Sequence, residues 1–235
     1  MSVTFKIDGV EVSANPDLSI LQAATRAGIY IPTLCAHPDL VAHGNCRVCT
    51  VLVKGRPVAA FMQPVTQGWE IDNSSPGLAA MRRSLIEMLF IEGNHYCPTC
   101  EKSGNCELQA LAYRFGMTVP KYPYRFPVRR EDASHPDLFL DYNRCILCER
   151  CVRASRDLDG KHVFEAVGRG PHRRIQIDGR AGLAGTKADV ADRMAALCPV
   201  GAILRKRVGF AVPVGRRLYD NQPIGSDVES RGASL

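Results

Sequence analysis

Apolar and polar residues alternate along Val3–Ile7 and again along Val10–Val12, with Asp8-Gly9 between them. A period of two places one face in a core and the other in water, and Asp-Gly favours a tight turn, so the chain opens with a β-hairpin. The period then lengthens. Leu18, Leu21, Ala24 and Ala27 stand at helical spacing behind Asp17-Leu18-Ser19, and Gly28 supplies a C-terminal cap. Thr50–Val53 and Val58–Phe61 predict two more strands around the turn Lys54-Gly55-Arg56. Asn73-Ser74-Ser75-Pro76 reads as a linker and helix start, with proline suited to the first turn. That helix carries Leu78, Met81, Leu85 and Met88/Leu89 as an apolar stripe through Phe90, assigned to the core. A second helix is expected over Glu107–Phe115, stopped by Gly116. Pro120–Arg130 reads as an extended linker or docking segment. Arg174–Asp178 predicts a short strand, and Ala188–Leu197 a helix feeding Cys198-Pro199. From Gly209 onward the chain is polar and rich in Gly and Pro, a tail with little core of its own.

The chain has 235 residues, 46% of them hydrophobic, an ordinary globular content. No stretch approaches the roughly 20 apolar residues of a membrane span. The opening Met1-Ser2-Val3-Thr4-Phe5-Lys6 lacks the pattern of a signal peptide, so a cytoplasmic protein with no membrane partner is expected. In a reducing compartment, ten clustered cysteines point to metal ligands before disulfides. An even count leaves a disulfide framework open, but the C-x2-C spacings are those that metals use. The net charge is +6 and the pI about 8.8. The basic pairs Arg82-Arg83, Arg129-Arg130, Arg173-Arg174, Arg205-Lys206-Arg207 and Arg216-Arg217 are scattered and carry no stacking motif. They read as solvated faces or protein-contact surfaces, with no nucleic-acid partner.

The cysteines fall into three groups. Cys35-x10-Cys46-x2-Cys49 is close to the ligand loop of a [2Fe–2S] ferredoxin, with Gly44 where the backbone passes near sulfide. A ferredoxin supplies its fourth ligand about a dozen residues on, where Phe61 stands and no cysteine does. Three outcomes are open: a non-cysteine ligand, with Met62 and Gln63 nearest in sequence; water or a thiol from elsewhere; or no stable cluster. His95-x-Cys97-x2-Cys100-x5-Cys106 offers one imidazole and three thiolates. Taken alone it fits structural zinc and [4Fe–4S] equally, and its neighbours favour [4Fe–4S]. Cys145-x2-Cys148-x2-Cys151 with the remote Cys198-Pro199 is the most specific signal, a [4Fe–4S] set closed by Cys198. His37, His43, His135, His162 and His172 have no ligand partners at useful spacing. No GxGxxG, no P-loop and no nucleophile–base pair is present, so flavin, nicotinamide and substrate sites are assigned to partners, and no catalytic residue is expected on this chain.

The hairpin, helix and cysteine loop resemble the opening of a β-grasp ferredoxin. The order from that domain through Cys97-Pro98-Thr99-Cys100-Glu101-Lys102-Ser103-Gly104-Asn105-Cys106 to a [4Fe–4S] domain resembles the N-terminal part of the large iron–sulfur subunit of respiratory complex I. It is also similar to the relay part of iron-only hydrogenases, and most of all to the small diaphorase subunits of soluble NAD-reducing nickel–iron hydrogenases. Glu92-Gly93-Asn94-His95-Tyr96-Cys97, Tyr122-Pro123-Tyr124-Arg125-Phe126-Pro127-Val128-Arg129 and Arg207-Val208-Gly209-Phe210 carry that likeness. So does the spacing of one residue between His95 and Cys97, where complex I relatives have three. The resemblance implies an α+β chain in four parts. These are a β-grasp [2Fe–2S] domain over 1–76, a His/Cys-ligated segment over 77–130, a [4Fe–4S] ferredoxin-like domain over 131–208, and an extended docking tail over 209–235. It implies one [2Fe–2S] and two [4Fe–4S] clusters, and partners comprising an FMN/NAD-binding diaphorase subunit and the small and large nickel–iron subunits. The implied function is electron relay between hydrogen and NAD. The same relay in an NAD-linked formate dehydrogenase or a complex I-type assembly is the alternative, and a zinc-stabilised scaffold the non-redox one.

Overall fold

The computed structural model describes residues 1–232. Strands β1 (Val3–Ile7) and β2 (Val10–Ala14) pair antiparallel, in register from Val3↔Ala14 to Ile7↔Val10. Helix α1 (Ile20–Arg26) is started by a reciprocal cap: the Ser19 hydroxyl accepts the Gln22 N–H and the Gln22 side chain accepts the Ser19 N–H. Strands β3 (Thr50–Val53) and β4 (Arg56–Ala59) form a second hairpin. Strand β5 (Glu70–Asp72) joins the two hairpins, parallel to β1 and antiparallel to β3, giving the order β2-β1-β5-β3-β4. Ile20, Ala23 and Ala24 of α1 share a core with Phe5, Ile7, Val12 and Val51 of this sheet. A single helix across a mixed sheet is the expected β-grasp arrangement. The second hairpin ends at Ala59, short of Phe61, because the Met62 and Gln63 N–H groups both turn back to the Ala59 carbonyl.

Helix α2 (Pro76–Ile91) begins at the expected proline. Its buried face is not the expected stripe: Leu78, Arg82, Ile86, Glu87, Phe90 and Ile91 are buried, whereas Met88 is exposed. The helix is rotated by a polar demand. Arg82, only 3% exposed, donates to the carbonyls of Asn73 and Thr50 at 2.7 Å and to the Asn73 side chain at 2.8 Å. These bonds fasten α2 to the end of the β-grasp sheet, and an apolar side chain there would leave the carbonyls unpaired.

Helix α3 (Glu107–Arg114) follows Cys106. The stretch 118–130 carries no regular secondary structure, in keeping with its three prolines. Strands β6 (Glu131–Asp132) and β7 (Leu138–Asp141), helix α4 (Arg150–Asp157), the hairpin β8 (Phe164–Val167) and β9 (Arg174–Ile177), helix α5 (Arg193–Ala196) and strand β10 (Ile203–Arg205) complete the third part. β7 is paired on both sides, in the order β10-β7-β6. α5 is shorter than the expected helix over Ala188–Leu197. The Asp189 N–H bonds the Asp192 carboxylate and the Ala191 N–H bonds the Asp189 carboxylate, so local side-chain bonds hold 189–192 as a turn.

The expected extended tail instead folds back. It forms α6 (Leu218–Asn221) and α7 (Ser226–Gly232). The Tyr219 N–H bonds the Gly104 carbonyl at 2.8 Å, Leu218 N–H the Asn105 side chain at 2.9 Å, and Arg114 the Ile224 carbonyl at 2.7 Å. A larger core then gathers Leu34, Cys35 and Val48 of the first ligand loop with Ile86, Leu108, Leu138 and Met194, so the loop is walled by every later segment. No helix among the described residues is long and apolar enough to cross a membrane.

Candidate metal centres

The four residues expected at the third site line one small cavity: Cys145, Cys148, Cys151 and Cys198, with Leu140, Phe164 and Ile203 closing it. The loop that carries the first three is shaped by two left-handed residues, Leu147 (φ 53°) and Glu149 (φ 57°). This conformation is uncommon outside glycine and costs on the order of 1 kcal/mol or more per residue. It turns successive N–H groups inward: Leu147 N–H reaches the Cys145 sulfur and Arg150 N–H the Cys148 sulfur. Burial pushes the Cys145 thiol up to about 11 and raises Cys148 and Cys151 as well. A buried thiolate without a countercharge is costly, and an iron–sulfur core is what these donors fit: metal charge for the sulfurs, and a sulfide-rich surface for inward N–H groups.

The second set shares a cavity too, lined by His95, Cys97, Cys100 and Cys106 with Phe90 and Arg144. Burial pushes the His95 imidazole down to about 4, so it is neutral near pH 7, and its ring is bonded to the Leu89 carbonyl. Nε2 is buried with no partner, which leaves Nδ1 as the nitrogen facing Leu89. An outer hydrogen bond that fixes the tautomer and leaves one bare nitrogen is the arrangement of a ligating histidine. Burial also pushes Cys106 up to about 12. The turn before His95 is pinned by Asn94, whose N–H bonds the Asn143 carbonyl at 2.8 Å and whose amide bonds the Pro127 carbonyl at 2.7 Å.

At the first set, Cys46 Sγ lies 3.3 Å from Cys35 Sγ. The Cys46 thiol, the N–H groups of Cys46 and Asn45, and the Arg153 guanidinium hold the Cys35 thiol down at about 6 despite its burial. Burial raises Cys49, whose sulfur accepts the Phe61 N–H. The Asn45 amide nitrogen is buried without an acceptor, a donor that cluster sulfide would satisfy. Position 61 therefore abuts the site through its backbone, while the residue is 7% exposed and packs into the β-grasp core. Among the described residues, no three His, Cys, Asp or Glu side chains are grouped to hold a single metal ion. A lone zinc draws its thiolates to about 3.8 Å of one another, given Zn–S bonds near 2.3 Å.

The three sets are joined. Arg153 donates to the Cys35 carbonyl at 2.6 Å, the Val41 carbonyl at 2.7 Å and the Cys148 carbonyl at 3.3 Å, linking the first and third ligand loops. Arg150 of α4 makes a bidentate pair with Glu107, at 2.6 and 2.7 Å, and the Glu107 N–H bonds the Pro199 carbonyl at 2.9 Å. A side chain at Gly201 would stand 2.7 Å from Cys100 Sγ, so only glycine lets the turn after Cys198 pass this close to the second set.

Residues 1–76 match the family described as 2Fe-2S iron-sulfur cluster binding domain. Residues 82–121 match the NADH-ubiquinone oxidoreductase-G iron-sulfur binding region, and 136–204 the ferredoxin-like domain of NADH-quinone oxidoreductase subunit 3. The chain is 44% identical over 225 residues to the gamma subunit of the NAD-reducing hydrogenase HoxS of Cupriavidus necator, covering 95% of this chain and 96% of that one. It belongs to the gamma-subunit family of NAD-reducing hydrogenases. A crystal structure of an NAD+-reducing [NiFe]-hydrogenase in the H2-reduced state contains a chain with TM-score 0.93 and 47% identity, over 96% of this chain and 97% of that one. More distant relatives of the gamma family are larger. The chain is 32% identical to the alpha subunit of the NADPH-Fe(3+) oxidoreductase of Geobacter sulfurreducens over 88% of its length, which is 24% of that protein. It is 30% identical to an NADH-quinone oxidoreductase subunit of Rickettsia felis over 88% of its length, which is 31% of that protein. The α+β fold, with a [2Fe–2S] domain first and a [4Fe–4S] ferredoxin-like domain last, is that of this family.

Sequence reasoning misses the arginines. Arg82, expected on a solvated or protein-contact face, is buried within this chain. Arg129, expected likewise, donates to the carbonyls of Glu92, Tyr142 and Cys145. Arg153 carries no motif. It stands two residues after Cys151 on a short helix, a spacing that does not share a face, so spacing gives no signal for it.

Proposed function

We propose that this chain is the electron relay between a flavin-bearing NAD-reducing subunit and a nickel–iron hydrogenase subunit pair, working in the cytoplasm. Cys35, Cys46 and Cys49 hold [2Fe–2S]; His95, Cys97, Cys100 and Cys106 hold one [4Fe–4S]; Cys145, Cys148, Cys151 and Cys198 hold the other. The parts divide at about residues 76, 130 and 208, each of the first three carrying one ligand set. When bound, the clusters supply one-electron carriers, which let a two-electron donor and a two-electron acceptor exchange electrons without meeting. The protein's own part is to fix the ligand loops against one another, to donate N–H groups to the sulfurs, and to exclude water by the shared core. The observation that carries this reading is the joining of the three ligand sets by Arg153, Glu107 and Gly201. A relay needs adjacent carriers, and a scaffold has no use for such closeness.

The test is co-expression with the flavin and nickel–iron subunits. Nickel and flavin should co-purify with this chain, and hydrogen should reduce NAD. A complex that retains both metals and flavin but passes no electrons from hydrogen to NAD would contradict the reading.

A further inference from the structure

The first ligand set has three thiolates and a phenylalanine where a fourth donor belongs. The neighbouring groups narrow what closes it. The Phe61 ring has no lone pair and is buried in the β-grasp core. Gln63 turns its amide nitrogen to the Pro64 carbonyl. His37 Nδ1 accepts the Asp39 N–H, so its other nitrogen carries the proton, and His43 is turned to the third ligand loop, with Nε2 2.8 Å from the Glu149 carboxylate. The other seven cysteines line the two remaining cavities. Met62 is different. The turn that ends β4 brings its N–H to the Ala59 carbonyl at 2.9 Å and projects its side chain across the ligand loop. A Cβ on Gly44, which has φ +66°, would stand 2.8 Å from Met62 Cγ and 3.3 Å from Met62 Sδ. The thioether thus occupies the space that a side chain at Gly44 would fill, two residues before Cys46 and one before the unsatisfied Asn45 amide. It is 48% exposed, so it is not held there by packing and is free to swing its sulfur onto the loop. A thioether is a soft, neutral donor of the kind that suits iron–sulfur centres.

We propose that Met62 Sδ is the fourth ligand of the first cluster, completing a set of three thiolates and one thioether. The inference rests on the reading that Cys35, Cys46 and Cys49 hold [2Fe–2S]. A neutral donor in place of a thiolate removes one negative charge from the cluster and raises its potential.

The experiment uses the full chain labelled with selenomethionine and prepared without oxygen. Selenium X-ray absorption should show an iron neighbour, and that shell should vanish in Met62→Leu. Met62→Cys should shift the reduced EPR signal toward plant-type g values and lower the potential. Because Met62 is exposed, neither variant threatens folding. A wild-type [2Fe–2S] signal with no selenium–iron shell overturns Met62 ligation and leaves the cysteine assignment standing. An iron inventory with no [2Fe–2S] component overturns both.

Discussion

Arg153 binds four carbonyls, of Cys35, Val41, Cys148 and Glu149, from two ligand loops with one guanidinium, so its removal acts on two sites at once. Hydrogen bonds from a charged donor are each worth about 1.5–3 kcal/mol, and orphaned carbonyls add desolvation cost. Arg153→Met is expected to destabilise the iron-loaded chain by about 2–4 kcal/mol in chemical denaturation. A loss within the roughly 0.5 kcal/mol typical of surface changes would remove Arg153 from this role. His95 gives a second forecast. His95→Cys is expected to retain iron, because a thiolate can take the place of the bare Nε2, and to lower the second cluster's potential by adding a negative charge. An unchanged potential and EPR spectrum would place His95 outside the ligand set. The ligands at this scale were legible because soft donors at fixed short spacing have few other uses. The arginines were not, because a guanidinium that caps a distant carbonyl leaves no local spacing to read.

Among the elements, α2 matters most, since it joins the β-grasp sheet to the second ligand set. Arg82→Met keeps the helical propensity and the bulk but leaves the Asn73 and Thr50 carbonyls unpaired. A cost of about 2–4 kcal/mol is expected, with hydrogen exchange accelerated along β3 and at the start of α2. A neutral result would mean that apolar packing holds the junction. The first hairpin, α1 and the start of α2 are legible because each carries its own local device: Asp8-Gly9, the spacing of Leu18, Leu21, Ala24 and Ala27 closed by Gly28, and Pro76. Apolar periodicity does not show the buried face of α2, because it counts methionine and leucine, whereas the burial of Arg82 and Glu87 sets the face here. Strand β5 escaped notice because three residues carry too little alternation to register, and its position depends on partners far along the chain.

Across the whole molecule, the last cysteine ties the third site to the second. Cys198 lies between α5 and β10, and Pro199 receives the Glu107 N–H that starts α3. Metal binding and folding are coupled in such sites, so Cys198→Ser is expected to lose the third cluster's iron and to lower the unfolding midpoint. Retention of full iron and stability would contradict the ligand assignment. The tail is the least legible part at this scale. Its composition lacks a core of its own, but Ile224 and Tyr219 find theirs on α3 and the second ligand loop, a contact that only the folded chain creates. The relay requires all three ligand sets to be filled together, and the iron inventory of the anaerobically prepared chain tests that most directly. Mössbauer spectroscopy of 57Fe-labelled protein should resolve one [2Fe–2S] and two [4Fe–4S] components, about ten iron atoms per chain. A colourless protein with zinc in place of iron, or a spectrum lacking any of the three components, would contradict the account.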